Sequence, residues 1–161
     1  MIRQAFAADA EVLARIYNHY IRETIVTFDE QPVSIAEMAR RLADTNADSL
    51  PWLLAERSGT ILGYARASKW KPRSAYRFSV ETTIYLAPDS LGTGLGTSLY
   101  QFLINELKKL GLHTAMGGIA LPNVGSVALH EKLGFLKVAH FAEVGFKFGK
   151  WIDVGYWQLT L

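Results

Sequence analysis

The chain has 161 residues, 50% hydrophobic and 12% aromatic, enough for one domain with a substantial core over residues 1–161 and too few for a comfortable second. Lys and Arg number 17 against 15 Asp and Glu, a net charge of +2, which is too slight for a nucleic-acid footprint and suits a small anionic ligand better. With no cysteine there is no disulfide, thiolate metal site or cysteine nucleophile; MIRQAFAADAEV carries no apolar signal core and no run spans a bilayer, so a cytoplasmic protein away from membranes is expected.

Residues 2–5 read as a short strand. Leu13, Ile16, Tyr17 and Tyr20 then recur at helical spacing, with Asp9 as the expected cap. TIVTFDEQP is a loop, and Ser34 opens a more polar helix to about Asp44. The apolar runs 52–56 and 61–67, separated by SGT, form a hairpin, followed by the basic and aromatic loop KWKPRSAY. Residues 78–86 alternate and are rich in Val, Thr, Ile and Tyr, a central strand stopped by Pro88. After the glycine-rich LGTGLG comes a helix whose inner face is marked by Leu95, Leu99, Phe102, Leu103, Leu107 and Leu110, ended by Gly111. A strand over 114–120, a turn at LPN, a short helix over 126–133 ended by Gly134, and strands within 135–148 and 155–161 complete the chain. The order predicts an α/β (α+β) domain, a mixed sheet with helices on its faces.

Gly92, Gly94 and Gly96 stand between a strand and a helix start. Unpaired N–H groups and the positive helix end converge there and attract phosphate, while glycine permits close approach and positive φ. A P-loop needs Lys before Ser or Thr, but Thr97 and Ser98 follow Gly96 directly. The dinucleotide fingerprint needs glycine at 97 and a later acid, and has neither. The third reading is a pyrophosphate turn of the form Arg or Gln, two residues, Gly, one residue, then Gly or Ala. LGTGLG at 91–96 resembles it, with Leu91 in place of the polar first residue.

That turn is a hallmark of the GNAT-type N-acetyltransferases. IYNHYI at 16–21, TFDEQP at 27–32, GYARASKWKPRSAY at 63–76, VETTIYL at 80–86, NVGSVALHEKLGF at 123–135 and VGFKFGKWIDVGYWQL at 144–159 extend the likeness nearly end to end. Together they resemble the branch that acetylates phosphinothricin and methionine sulfoximine. The resemblance implies a seven-stranded mixed sheet, splayed between strands 4 and 5 to admit acetyl-CoA, and commonly a homodimer, to which FKFGKW would contribute.

It also implies residue roles. Glu81 would be the general base that frees the attacking amine, since an ammonium has no lone pair. His130 stands where most of the superfamily has a Tyr that protonates the departing thiolate; it would do that or assist proton removal. A bulge at Ile84, Tyr85 and Leu86 would expose N–H groups to the pantetheine and the thioester oxygen. The turn Gly92, Thr93, Gly94, Leu95, Gly96 and Thr97 would hold the pyrophosphate. Asn123 and Ser126 would meet the pantetheine arm, although a plain turn asparagine fits position 123 equally well. For the acceptor, Lys71 and Arg73 beside Pro72 would neutralise acidic groups, Phe28 or Trp70 would wall the methylenes, and Thr82 and Thr83 would hydrogen-bond the amino acid. His19, His113 and His140 lack metal-ligand spacing, so no metal is expected. The direct transfer to a small amino-acid analogue competes with two alternatives, a protein N-terminus or lysine as acceptor, and a coenzyme-binding regulatory module without catalysis.

Overall fold

The central strands of the sheet carry apolar residues on both faces, and helices cover both. The computed structural model describes all residues, Met1–Leu161. In chain order the elements are β1 (Ile2–Gln4), α1 (Ala10–Glu23), α2 (Ile35–Ala47), β2 (Trp52–Arg57), β3 (Thr60–Lys69), β4 (Ser79–Leu86), α3 (Leu95–Lys109), β5 (Thr114–Leu121), α4 (Val124–Lys132), β6 (Leu136–Lys147) and β7 (Lys150–Thr160). They build one seven-stranded sheet in the order β1-β2-β3-β4-β5-β7-β6. Every neighbouring pair is antiparallel except β4 with β5.

On one face, Trp52, Leu54, Tyr64 and Tyr85 pack against Leu13, Tyr17, Tyr20 and Ile21 of α1 and Met38 and Leu42 of α2. On the other, Leu53, Ala55, Ala65, Ala67, Val80 and Ala115 receive Leu99, Tyr100, Leu103, Ile104 and Leu107 of α3. The two sets interleave residue by residue along β2, β3 and β4, as a period of two demands. The small alanines under α3 leave room for its leucines; each fully buried leucine contributes about 2 kcal/mol relative to exposure.

Several expectations need correcting. Asp9 occupies the N-cap position of α1, but its side chain does not cap the helix: its carboxylate accepts from Phe6 N–H (2.8 Å) and pairs with Arg3 (2.9 Å), closing a short 3-10 turn ahead of the helix. Ser34 does cap α2, its Oγ accepting from Glu37 N–H at 3.0 Å, and α2 runs on to Ala47. The buried stripe of α3 is rotated, because Phe102 (40% exposed) and Leu110 (53%) face solvent while Tyr100 and Ile104 face the sheet. Asn123 caps α4, its Oδ1 accepting from Ser126 N–H at 3.1 Å, so that helix starts at Val124 rather than at residue 126. The last strand begins at Lys150, five residues earlier than the alternation of its C-terminal half suggests.

Candidate active site

Strands β4 and β5 touch along three residue pairs only, from Ser79 with Thr114 to Glu81 with Met116. A hydroxyl pair, Ser79 with Thr114 at 2.7 Å, ties the closed end. Beyond Glu81 the strands part, while β5 keeps its full ladder to β7 through Leu121. The result is a wedge inside an otherwise continuous sheet, with Glu81 at its apex.

The parting is what frees backbone donors here. The β3–β4 register runs from Gly63 with Leu86 to Lys69 with Val80 without a shift, so the expected bulge at residues 84–86 is absent. Ala87 N–H donates to Leu62 O and Trp70 N–H to Ser79 O, which assigns the odd-numbered residues of β4 to the ladder with β3. Tyr85 N–H is thereby used by Tyr64. Ile84 and Leu86 turn their N–H groups the other way, into the gap that β5 has left. Ile84 and Leu86 therefore supply backbone donors, and Tyr85 supplies a buried ring among Tyr17, Tyr20 and Tyr64.

At the open end lies the glycine turn. Gly92 (φ 72°) and Gly94 (φ 82°) adopt the left-handed conformation, and Gly94 is the N-cap of α3. The first bond of the helix is Ser98 N–H to Gly94 O, which leaves the N–H groups of Leu95, Gly96 and Thr97 without helical acceptors. Thr93 turns its hydroxyl inward to Ser90 O (2.8 Å), and Leu91 is exposed. Three free amides at a helix start suit a pyrophosphate. Gly96 differs from its neighbours: a Cβ there would make only ordinary contact with Leu86 at 3.5 Å. Gly94→Ala is therefore expected to cost about 1–2 kcal/mol through the left-handed backbone, and Gly96→Ala close to nothing; chemical unfolding of the two variants checks this.

The wedge opens into a cavity of about 520 Å³. Glu81, Thr82, Thr83, Ile84 and Tyr85 of β4 form one wall, Gly118 and Ala120 of β5 with Val154 and Tyr156 of β7 the other. Val26, Thr27 and Phe28, from the segment between α1 and α2, close one end, and Ser126 and His130 of α4 also contribute. Glu81 is half-buried and makes no ion pair; burial pushes its carboxyl up from the ordinary range, opposed by the fields of Arg66 and Lys71.

His130 is buried, and both ring nitrogens are engaged. Nδ1 lies 2.7 Å from Ser126 O, which requires Nδ1 to be the donor, and Nε2 lies 3.0 Å from the Tyr100 hydroxyl, which meets Thr82 Oγ1 in turn. A Cβ on Gly117 would overlap the imidazole, so that glycine makes space for it. Burial holds the imidazole below its usual value, against the opposing Ser126 carbonyl. The unfolded chain then binds a proton that the fold resists, so stability should fall by about 1.4 kcal/mol per pH unit below about pH 6.5 until the lowered folded-state value is reached. Melting curves at pH 7.5 and 5.5 should differ more for the wild type than for His130→Gln.

The Phe28 ring lies over Gly145 of β6, where a Cβ would overlap it. Beside it Lys147, 2% exposed, donates to Thr24 O (2.8 Å) and Thr27 O (2.7 Å), pinning the segment that closes the cavity. Lys71, Pro72 and Arg73 are exposed and outside the cavity lining; Lys71 lies against Trp70 (4.9 Å) and Arg73 against Tyr76 (5.7 Å). Trp70 meets Tyr156 edge-on at 5.4 Å, one contact removed from the cavity. Tyr100, Arg66 and Lys147 were not singled out by the sequence, where they read as ordinary helix and strand residues.

A family model described as an acetyltransferase (GNAT) domain matches residues 2–155. A phosphinothricin N-acetyltransferase of Streptomyces coelicolor is 39% identical, over 99% of this chain and 95% of its own length. An L-methionine sulfoximine/L-methionine sulfone acetyltransferase of Salmonella typhimurium is 36% identical, over 99% and 94%. Among solved structures, a ribosomal-protein-alanine N-acetyltransferase from Brucella melitensis superposes with a TM-score of 0.98 at 35% identity, covering 100% of this chain and 99% of that one. A phosphinothricin acetyltransferase from Sinorhizobium meliloti in complex with acetyl-CoA gives 0.97 at 36% identity, covering 100% and 88%. The splayed sheet, the free amides at the start of α3 and these likenesses agree: the chain belongs to the GNAT family of acetyl-CoA-dependent acetyltransferases.

Proposed function

We propose that the chain moves the acetyl group of acetyl-CoA to the α-amino group of a small amino-acid analogue, of the phosphinothricin, methionine sulfoximine or methionine sulfone type. The relatives carry those names, and the observation that carries the reading is Glu81, an unpaired carboxylate at the apex of the wedge. In this reading the amides of Leu95, Gly96 and Thr97 hold the pyrophosphate, and the N–H groups of Ile84 and Leu86 face the pantetheine arm and the thioester oxygen. Asn123, as cap of α4, and Ser126 border that arm. Glu81 takes the proton of the incoming ammonium, and its raised pKa makes it a better base than an ordinary carboxylate. The amine attacks the thioester carbon directly, the carbon–sulfur bond breaks, and the leaving thiolate takes up the second proton that the nitrogen sheds on becoming an amide.

His130 enters this scheme through Tyr100 rather than directly. With Nδ1–H committed to Ser126 O, Nε2 accepts from Tyr100, and the pair fixes the hydroxyl of Thr82, which follows Glu81 in β4 on the opposite face of the strand. Lys71 acts on Glu81 through its field, and Phe28 walls the acceptor.

Release of free thiol from acetyl-CoA, followed with phosphinothricin, methionine sulfoximine, methionine sulfone and an alanine-initiated peptide, tests the proposal. Saturable turnover with the amino acids supports it. Turnover confined to the peptide would favour the second reading, a protein N-terminus as acceptor, for which the name of the Brucella neighbour speaks.

A homodimer is also proposed. Val144, Phe146, Phe148 and Trp151, each between 54% and 65% exposed, form an apolar face on the β6–β7 hairpin at the sheet edge. Light scattering of the purified protein, and of Trp151→Lys, measures it.

A further inference from the structure

On the α1–α2 face of the sheet lies a second cavity, of about 190 Å³, which shares Thr83 and Tyr85 with the wedge. Its lining holds two guanidinium groups and an indole N–H among hydroxyls, and no carboxylate. Arg41 enters from α2, already held by Glu37 (2.9 Å) and Asp29 (3.2 Å). Arg66, half-buried on β3, has no carboxylate partner and instead lies 4.9 Å from the centre of the Trp52 ring. Trp52 is 1% exposed, and its Nε1 is the one buried side-chain nitrogen or oxygen without a hydrogen-bond partner.

The register makes this a built arrangement. Trp52 pairs with Arg66 across β2–β3 and Arg66 with Thr83 across β3–β4, so indole, guanidinium and hydroxyl form one row across three strands. The next row on the same face holds Ser68 and Glu81, about 7 Å away, the rise of two strand residues. An unpaired guanidinium and an unpaired indole N–H in a part-buried pocket both lack an acceptor. Stacking on Trp52 occupies the face of the guanidinium and leaves its N–H groups, like the indole N–H, without an acceptor.

We propose that this pocket is an oxyanion subsite for the acceptor, in which Arg66 contacts an oxygen-bearing group of the amino acid whose amine meets Glu81. The chemistry it selects is a planar or tetrahedral oxo group: a carboxylate, a phosphinate or a sulfonyl. The assignment rests on the acceptor reading above, and it adds a strand arginine to the exposed Lys71 and Arg73 as a source of positive charge for the acceptor.

Two measurements test it. In kinetics, Arg66→Met keeps an unbranched stem and removes the fork. It should raise the KM for methionine sulfone by about thirtyfold, with the acetyl-CoA KM unchanged, a loss of about 2 kcal/mol. The source of the oxygen is read from norleucine, which keeps only the α-carboxylate, and methionine sulfone amide, which keeps the side-chain oxo group and replaces the carboxylate with a neutral amide: the acceptor whose KM rises in the variant carries the group bound. In binding, dimethylphosphinate added to the nitrogen-15-labelled apoprotein should move the Trp52 Nε1–H resonance, assigned with Trp52→Phe, in the wild type and not in Arg66→Met. An unmoved indole resonance, or an unchanged KM for every acceptor in the variant, overturns the subsite. A wild type that acetylates no amino acid but shows the indole shift overturns the acceptor reading and leaves the subsite standing.

Discussion

Glu81→Gln is expected to lower kcat by about two to four orders of magnitude at neutral pH with acetyl-CoA binding intact. The glutamine keeps the shape of the wedge apex and removes the only group placed there to accept a proton. The defect should be pH-dependent in a specific direction. An amino-acid α-amine, with a pKa of roughly 8–9, deprotonates by itself in alkaline solution, so the variant should recover as pH rises past 9 while the wild type gains less. Loss of the fold is separable from loss of the base. Burial raises the Glu81 pKa, so the ionised carboxylate opposes folding above that value, and the variant should melt at the same temperature or higher. Normal turnover across the pH range would remove Glu81 from the mechanism.

Lys147→Met should act on both stability and acceptor recognition. Two carbonyls, Thr24 O and Thr27 O, lose a charged donor in a place where Lys147 is 2% exposed, and each becomes a buried acceptor without a partner. A loss of about 2–4 kcal/mol follows. The freed segment includes Val26, Thr27 and Phe28, which close one end of the cavity, whereas the turn at Gly92–Gly94 lies elsewhere. The KM of the acceptor should therefore rise about tenfold or more with the affinity for acetyl-CoA unchanged. Denaturant titration and steady-state kinetics read the two effects separately. A variant that loses stability and keeps its acceptor KM would show that Phe28 on Gly145 and the Tyr17 hydroxyl on Thr27 and Asp29 suffice to hold the segment.

Where residues carry their own local reason, the sequence was a sufficient guide. Gly92 and Gly94 needed positive φ, Pro88 stopped β4, Ser34 capped α2, and the alternation of residues 78–86 identified the central strand. The phase of α3 was not legible, because Phe102 and Leu110 continue an apolar series as plausibly as Tyr100 and Ile104 do, and only the position of the sheet decides between them. Arg66 and Lys147 were beyond reach for a related reason. A basic residue in a strand usually points to solvent. Here one is placed by a three-strand register and the other by a hairpin folding back 120 residues along the chain. The bulge expected at residues 84–86 was an inference from likeness alone, and the same freeing of N–H groups is achieved by the divergence of two strands.

Because only three residue pairs join β4 to β5, the two portions of the sheet are sewn along one short seam and left unstitched above it. A molecule lodged in that slit would serve as a borrowed rib, tying the flanks together where the polypeptide does not. A donor bound there would add about 2.7 kcal/mol of stability against unfolding when it stands at a hundred times its dissociation constant.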